Sequence, residues 1–177
     1  DKVGVILFSD QIEQYLPAKK GSSHALRIIR DILNIQPRSK KTNIQPALDL
    51  AIQRIAHRAL IIIVSDFITP DSVWEKSLRA VAARHDVVAV QVLDPKELSL
   101  PDAGRVCIED PETGEQLVLN TSHPEVRSFF AERSAAAQVS LGQLFRKNAV
   151  ERIAVQTDVD YVPALKAYFR SRRRRKR

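Results

Sequence analysis

Two polar side chains, Thr42 and Asp66, stand where predicted helices and strands meet, and ligand sites form at such places. Asp66 comes just after the apolar run ALIIIV at residues 59–64. A continuous run rich in Ile and Val is typical of a strand buried on both faces in a parallel sheet. Thr42 begins a predicted helix. Because ligands of open α/β sheets bind at the carboxyl ends of the strands, this hydroxyl and this carboxylate are placed to reach one ligand.

Alternating strands and helices in the first half of the chain would have to position these two side chains. Strands are predicted over 3–8, 12–16, 60–64 and 87–93, and helices over 22–33, 42–57 and 70–85. The first two strands flank a short turn and predict a β-hairpin, and Thr42 is the predicted N-cap of its helix. The strands and helices that follow require crossover connections, which are right-handed. We therefore expect a three-layer α/β/α sandwich with a mostly parallel sheet.

The second half of the chain departs from that alternation. Short strands at 105–109 and 116–119 surround the turn sequence DPETG and predict a second hairpin. A long helix at 124–147, a strand at 153–156 and a closing helix at 162–169 follow. We expect residues 1–98 to form the core of the domain, residues 99–169 to add a small β-hairpin and a helical extension to it, and residues 170–177 to be a disordered basic tail.

Basic residues are concentrated at the end of the chain. The net charge is +7, but outside the last eight residues Lys and Arg number 21, the same as Asp and Glu. A basic run of this kind favours binding to nucleic acid, an anionic lipid surface or an acidic protein. A solvated, disordered end is the other interpretation, since the run lacks the interleaved aromatic residues of nucleic-acid platforms. The candidate anion-binding residues are Arg170, Arg172, Arg173, Arg174, Arg175, Lys176 and Arg177.

The chain lacks the sequence signatures of several classes of protein. Cys107 is the only cysteine, so an internal disulfide and a cysteine-based metal site are excluded, which fits a reducing cytoplasm. No apolar stretch approaches the ~18 residues of a membrane span, and the chain does not begin with a signal-peptide pattern. The catalytic motifs G-x-S-x-G, G-x-x-x-x-G-K-S/T and H-E-x-x-H do not occur. We therefore expect a cytoplasmic protein that is not an enzyme.

An ordered set of short segments resembles one family. The segments are DKVGVILFSD at 1–10, YLP at 15–17, Thr42 before its helix, VSDF at 64–67, RHDVVAV at 84–90, DPETG at 110–114 and QTD at 156–158. Together they are similar to the DUF58 family, bacterial proteins with a von Willebrand factor A-like (Rossmann-like) domain. The resemblance covers nearly the whole chain. Since such proteins are often encoded beside MoxR-type AAA+ ATPases, it implies a protein-interaction role in assembling or activating protein complexes.

The resemblance also implies a metal-ion-dependent adhesion site. In the family pattern an Asp-x-Ser-x-Ser loop, a Thr and an Asp hold a divalent cation such as Mg²⁺, and Thr42 and Asp66 match the last two by position. Residues 1–8 match the second strand of the domain, so we expect the first strand and its loop to lie outside this chain. The site is then incomplete here, with negligible binding of Mg²⁺ or Mn²⁺, and the cation would bind the full-length protein.

Each candidate residue also has a structural interpretation. Asp66 is placed to cap the loop after its strand, Thr42 is an N-cap under either interpretation, and Ser65 is expected to be a hydrogen-bonding loop residue rather than a ligand. Two hypotheses of function stay open. The first is an interaction module for a MoxR-type ATPase or its client. The second is nucleic-acid or anionic-surface binding by residues 170–177, which predicts a steep dependence on salt.

Overall fold

The computed structural model describes residues 1–69, 71–110 and 112–175, and over these residues the strands form three separate sheets. Within that range, no helix combines the length and the apolar character needed to cross a bilayer. In chain order the elements are β1 (Val3–Phe8), β2 (Ile12–Lys19), α1 (Ser22–Asn34), α2 (Gln45–Arg54), β3 (Leu60–Ser65), α3 (Asp71–Arg84), β4 (Asp86–Leu93), α4 (Pro95–Leu98), β5 (Arg105–Glu109), β6 (Gln116–Asn120), α5 (Pro124–Lys147), β7 (Glu151–Gln156) and α6 (Val162–Arg175).

A parallel sheet with the strand order β3-β4-β7 lies at the centre of the fold. In its register Leu60 of β3 pairs with Asp86 of β4, so both strands start at the same edge. The predicted mixed α/β class and its parallel strands are therefore confirmed. Both predicted hairpins are also present: β1 pairs with β2 and β5 with β6, each antiparallel. The first hairpin forms a sheet of its own, so among the described strands the parallel sheet contains only three.

Helices pack on both faces of the parallel sheet, although on one face they leave β3 uncovered. On one face, Ile63, Val87 and Ala89 join a buried cluster built around Trp74 and Phe145 from α3 and α5. On the other face, Val88, Val90 and Ile153 pack with Leu165 and Tyr168 of α6. Alternate residues of β4 therefore enter opposite clusters, as the two-residue period of a strand requires.

The prediction that β3 is buried on both faces is wrong. Ile63 is 6% exposed, whereas Leu60, Ile62 and Val64 on the other face are 41%, 45% and 58% exposed. The reason is that the cluster involving α6 contains residues of β4 and β7 but none of β3. An apolar strip of β3 consequently faces solvent.

The prediction that Thr42 is an N-cap is also wrong. The helix α2 begins at Gln45, Ile44 is its N-cap residue, and no side chain caps it in that position. Instead the Asn43 side chain accepts a hydrogen bond from the Gln45 N–H at 3.0 Å, so the neighbouring residue takes the role expected of Thr42. Pro46 does lie in the first turn, where its missing N–H costs little.

The closing helix extends further than the sequence predicts. Helix α6 continues past Phe169 to Arg175, so the part of the tail up to that residue is helical rather than disordered. The extension has a physical cause, because Arg172 bonds to Asp86 and Tyr168 and anchors the helix to the sheet. The predicted tail residues Lys176 and Arg177, like Pro70 and Pro111, lie outside the described residues.

Candidate functional site

Asp66 lies at the carboxyl edge of the parallel sheet, directly after β3, as the sequence predicts. The residue is exposed. Its Oδ1 accepts hydrogen bonds from the Ile68 N–H at 3.1 Å and from Ser65 Oγ at 3.3 Å. Ser65 Oγ in turn accepts from the Phe67 N–H at 3.1 Å. Asp66 therefore has the loop-capping role, but its Oδ2 makes no hydrogen bond to the described residues and is available to a ligand.

Phe67 fixes the turn that presents Asp66. Its φ of 60° lies in the left-handed region, which is unfavourable for a residue with a bulky side chain. The ring is 5% exposed and packs on Phe145 with centroids 5.1 Å apart and on Trp74 at 5.8 Å. Packing of this ring holds the strained backbone in place, and so it sets the position of the carboxylate before it.

A cleft of about 230 Å³ opens beside Asp66. It lies between the ends of β3 and β4 and the helices α4 and α5. Its walls are held by Gln91 Nε2, which donates to the Asp66 carbonyl at 3.1 Å, and by Ser134 Oγ, which donates to the Glu97 carbonyl at 3.0 Å. The lining residues are Asp66, Ile68, Leu93, Glu97, Leu98, Phe130, Arg133, Ser134, Ala137 and Gln138.

Sequence reasoning missed Glu97 and Arg133, which bring charge to this cleft. The one sequence signal was Asp94-Pro95, which ended the predicted strand. Asp94 caps α4 by accepting a hydrogen bond from the Lys96 N–H, and Glu97 follows within that helix. Arg133 is distant in sequence on α5, and no spacing rule connects it with the strand ends.

Thr42 lines a second cleft rather than the one beside Asp66. This second cleft measures about 510 Å³, and its lining is Phe8, Ser9, Pro37, Ser39, Lys40, Lys41, Thr42 and Glu109. The loop before α2 is tied to the first hairpin, because the Asn43 N–H donates to the Ser9 carbonyl at 2.9 Å. The structure thus places the two predicted metal ligands in different clefts.

Serine and glutamate form a tight pair beside the second cleft. Ser9 Oγ donates to Glu13 Oε1 at 2.6 Å. This bond, together with contacts from Arg38, lowers the pKa of Glu13 against the opposing effect of burial. Glu13 is therefore already engaged within the chain.

The described basic residues of the tail lie at the opposite edge of the sheet. Arg172 Nη2 contacts Asp86 Oδ2 at 2.6 Å, and its Nη1 donates to Tyr168 Oη at 2.7 Å. Arg58 reaches the other oxygen of Asp86 at 2.9 Å. Arg172 is thus used internally, while Arg170 is exposed. The side chains of Arg173, Arg174 and Arg175, and the residues Lys176 and Arg177, lie outside the described part of the structure.

The donor set at the carboxyl edge offers part of a cation site. Within the described residues, no group of three or more His, Cys, Asp or Glu side chains is arranged to hold a metal ion. The carboxylate of Asp66 supplies the kind of oxygen that a hard cation such as Mg²⁺ prefers. The oxygen ligand of Asp66 therefore suits a divalent cation, but the described residues supply only part of a coordination shell. Asp66 is the residue best placed to contribute to it.

Comparisons with known proteins find relatives of this chain in mycobacteria. Uncharacterized proteins of Mycobacterium bovis and Mycobacterium tuberculosis are each 30% identical over 176 residues, which is 98% of this chain and 55% of theirs. An uncharacterized protein of Mycobacterium avium is 31% identical over 90% of this chain and 94% of its own length. The chain thus spans about half the length of the first two relatives.

A solved structure shares the fold. The conserved hypothetical protein BatB from Bacteroides thetaiotaomicron matches all of this chain and 80% of its own, with a TM-score of 0.57 and 18% identity. The family model described as "Protein of unknown function DUF58" matches residues 1–140. On this match and on the mycobacterial relatives, the chain belongs to the DUF58 family, as the sequence predicts.

Proposed function

We propose that this chain is a non-enzymatic protein-interaction module with a von Willebrand factor A-like architecture, which binds its partner at the carboxyl edge of the parallel sheet. One observation carries the proposal. The Asp66 carboxylate is exposed directly after β3 and is held there by Phe67, while its Oδ2 makes no hydrogen bond to the described residues. A carboxylate presented in this way at a strand end is suited to a ligand rather than to internal packing.

The uncovered strip on β3 supports the architecture. Leu60, Ile62 and Val64 are exposed, and within the described residues β3 pairs only with β4. A von Willebrand factor A-like sandwich would place a further strand beside β3 and a helix over its outer face. Both would come from outside these 177 residues, in keeping with the greater length of the M. bovis and M. tuberculosis relatives.

The proposed partner interaction uses a divalent cation in the longer protein. Mg²⁺ prefers oxygen ligands and keeps several waters. Asp66 would hold it directly, whereas Thr42 lines the other cleft. The bound cation would supply a positive centre for an acidic residue of the partner. We propose a MoxR-type AAA+ ATPase, or a client of it, as that partner.

The test measures binding of the longer protein to a purified MoxR-type ATPase of the same organism, with Mg²⁺ or with EDTA. Asp66→Ala should abolish binding, and EDTA should have the same effect. Asp158→Ala is the matched control, because Asp158 is an exposed carboxylate that follows β7 at the same edge of the sheet. Binding that survives both Asp66→Ala and EDTA would overturn the proposal.

A second measurement checks that the cation site is incomplete in this chain. Calorimetric titration of the 177-residue chain with Mg²⁺ or Mn²⁺ should give negligible heat. Millimolar or tighter binding that disappears in Asp66→Ala would show that these residues suffice on their own.

A further inference from the structure

The cleft beside Asp66 has a mixed lining with an acidic excess. Its apolar part includes Leu93 from the end of β4 and Phe130 from α5. Its charged part consists of two carboxylates, on Asp66 and Glu97, and one guanidinium, on Arg133. With a volume of about 230 Å³, it is smaller than the ~300–1,000 Å³ of pockets that hold drug-sized ligands. Its dimensions therefore suit one side chain.

The charged groups of the cleft form no ion pairs with one another or with other described residues. The ion pairs between described residues include none with Asp66, Glu97 or Arg133. This contrasts with Asp86, which contacts two arginines. Long charged side chains that line a cleft without pairing are free to meet a ligand.

A buried acceptor next to the cleft also lacks a donor. Gln91 is 1% exposed and lies two residues before Leu93, on the same face of β4. Its Nε2 donates to the Asp66 carbonyl, while its Oε1 has no hydrogen-bond partner among the described residues. A buried carbonyl oxygen without a donor is costly. Together with the two carboxylates, it makes this corner of the protein rich in acceptors.

We propose that the cleft binds a basic side chain, lysine or arginine, presented by the protein partner. The apolar stem of such a side chain packs on Leu93 and Phe130, as the stems of basic residues commonly do. The charged head donates hydrogen bonds toward Glu97. Asp66 Oδ2 is left to the cation of the proposed function. The inference rests on the proposed function in one respect, which is that the ligand comes from a protein partner. It adds the chemical class of the side chain that this partner presents.

Substitution of Arg133 can distinguish a basic ligand of the cleft from an acidic one. For a basic ligand, Arg133 is a repelling like charge, and its removal should strengthen binding. For an acidic ligand, Arg133 would be the main contact, and its removal should abolish binding. The two alternatives therefore predict opposite effects of one substitution.

The experiment titrates the isotopically labelled chain with Nα-acetyl-lysine N-methylamide in EDTA and follows backbone amide shifts by NMR. We expect saturable shifts at residues lining the cleft, with a dissociation constant on the order of millimolar. Glu97→Gln should weaken binding by up to about fivefold, the effect of one exposed ion pair. Arg133→Ala should tighten it, and Glu132→Gln, an exposed carboxylate of α5 that does not line the cleft, should leave it unchanged.

Two neutral or reversed ligands complete the test. The norleucine analogue has the same kind of stem without the charge and should bind more weakly than lysine. Equal binding of norleucine, tighter binding of Nα-acetyl-glutamate N-methylamide, or an unchanged lysine affinity in Glu97→Gln would overturn the inference. Because metal and ATPase are absent, these results are independent of the cation-dependent binding that tests the proposed function.

Discussion

The two edges of the parallel sheet differ in how their aspartate side chains are paired. At the amino edge, Asp86 opens β4 and lies between Arg58 and Arg172, with both oxygens in ion pairs. At the carboxyl edge, Asp66 follows β3, and its carboxylate caps a loop with one oxygen and makes no ion pair with the described residues. The same residue type therefore closes the structure at one edge and faces solvent at the other. Two ion pairs within the chain thus give Asp86 a structural role, and the lack of one among the described residues leaves Asp66 as a candidate ligand.

The largest expected effect comes from the ring that supports the carboxyl edge. Phe67→Ala removes a buried ring packed on Phe145 and Trp74, and we expect it to lower the free energy of unfolding by about 3–5 kcal/mol. Denaturant unfolding followed by Trp74 fluorescence would measure the loss. Phe129→Ala, at a phenylalanine that is 66% exposed, is the control and should have little effect. Similar losses in both variants would show that Phe67 does not anchor this edge.

The next prediction compares the two carboxylates directly. Asp86→Ala breaks the contacts with Arg58 and Arg172 and should lower the free energy of unfolding by about 1–3 kcal/mol. Asp66→Ala loses only the exposed loop hydrogen bonds and should cost less than about 1 kcal/mol. Urea titrations of the two variants under the same conditions give the comparison. A larger loss in Asp66→Ala would reverse the roles assigned to the two edges.

A smaller effect is expected from the backbone of the amino edge. Ala149, just before β7, has a φ of 54°, which glycine adopts without the steric cost of a Cβ. The Val150 N–H donates to the Phe145 carbonyl at 2.9 Å and closes the end of α5 around it. Ala149→Gly should raise the free energy of unfolding by up to about 1 kcal/mol. Phe67→Gly, at the other described non-glycine residue with a positive φ, should lower the free energy of unfolding because the anchoring ring is lost, and thermal melting would show both signs.

The smallest expected effect is a pH dependence at the amino edge. Burial, and then the charges of Arg84 and Arg58, lower the pKa of His85 below its usual value of 6.5. The unfolded chain therefore takes up a proton more readily, so stability should fall as the pH drops below about 6.5 toward the folded-state pKa. His85→Leu should flatten this part of the profile in unfolding titrations between pH 5 and 8, a range chosen to span the ordinary histidine titration. Identical profiles for the variant and the parent would contradict the assignment.

The elements of the fold could be predicted from local patterns, but their exposure could not. The apolar runs at 60–64 and 87–93 are strands of the parallel sheet, as predicted. Ile62 and Ile63 have the same side chain, yet one is 45% exposed and the other 6%. The difference depends on which helix covers which face, and that is decided by distant parts of the chain.

The candidate site was predictable only in the part that a single strand supplies. Asp66 could be found because it ends an apolar run. Glu97 and Arg133 join it through the packing of α4 on α5, and neither belongs to a motif. The sequence predicts Thr42 as the cap of a helix that starts there, but α2 starts at Gln45, and the Asn43 side chain accepts the hydrogen bond of the Gln45 N–H.

The exposed side of β3 also has a consequence for how this chain behaves in solution. Within the described residues β3 hydrogen-bonds only to β4, and its outer strip carries Ile62 and Val64. An open strand edge with apolar side chains is a template for further strands, and other proteins shield such edges with charges or prolines. We expect the isolated chain to associate reversibly as its concentration rises, and an Ile62→Lys variant to delay that association in light-scattering measurements. Light scattering would then report on the same strand that the proposed further strand would cover.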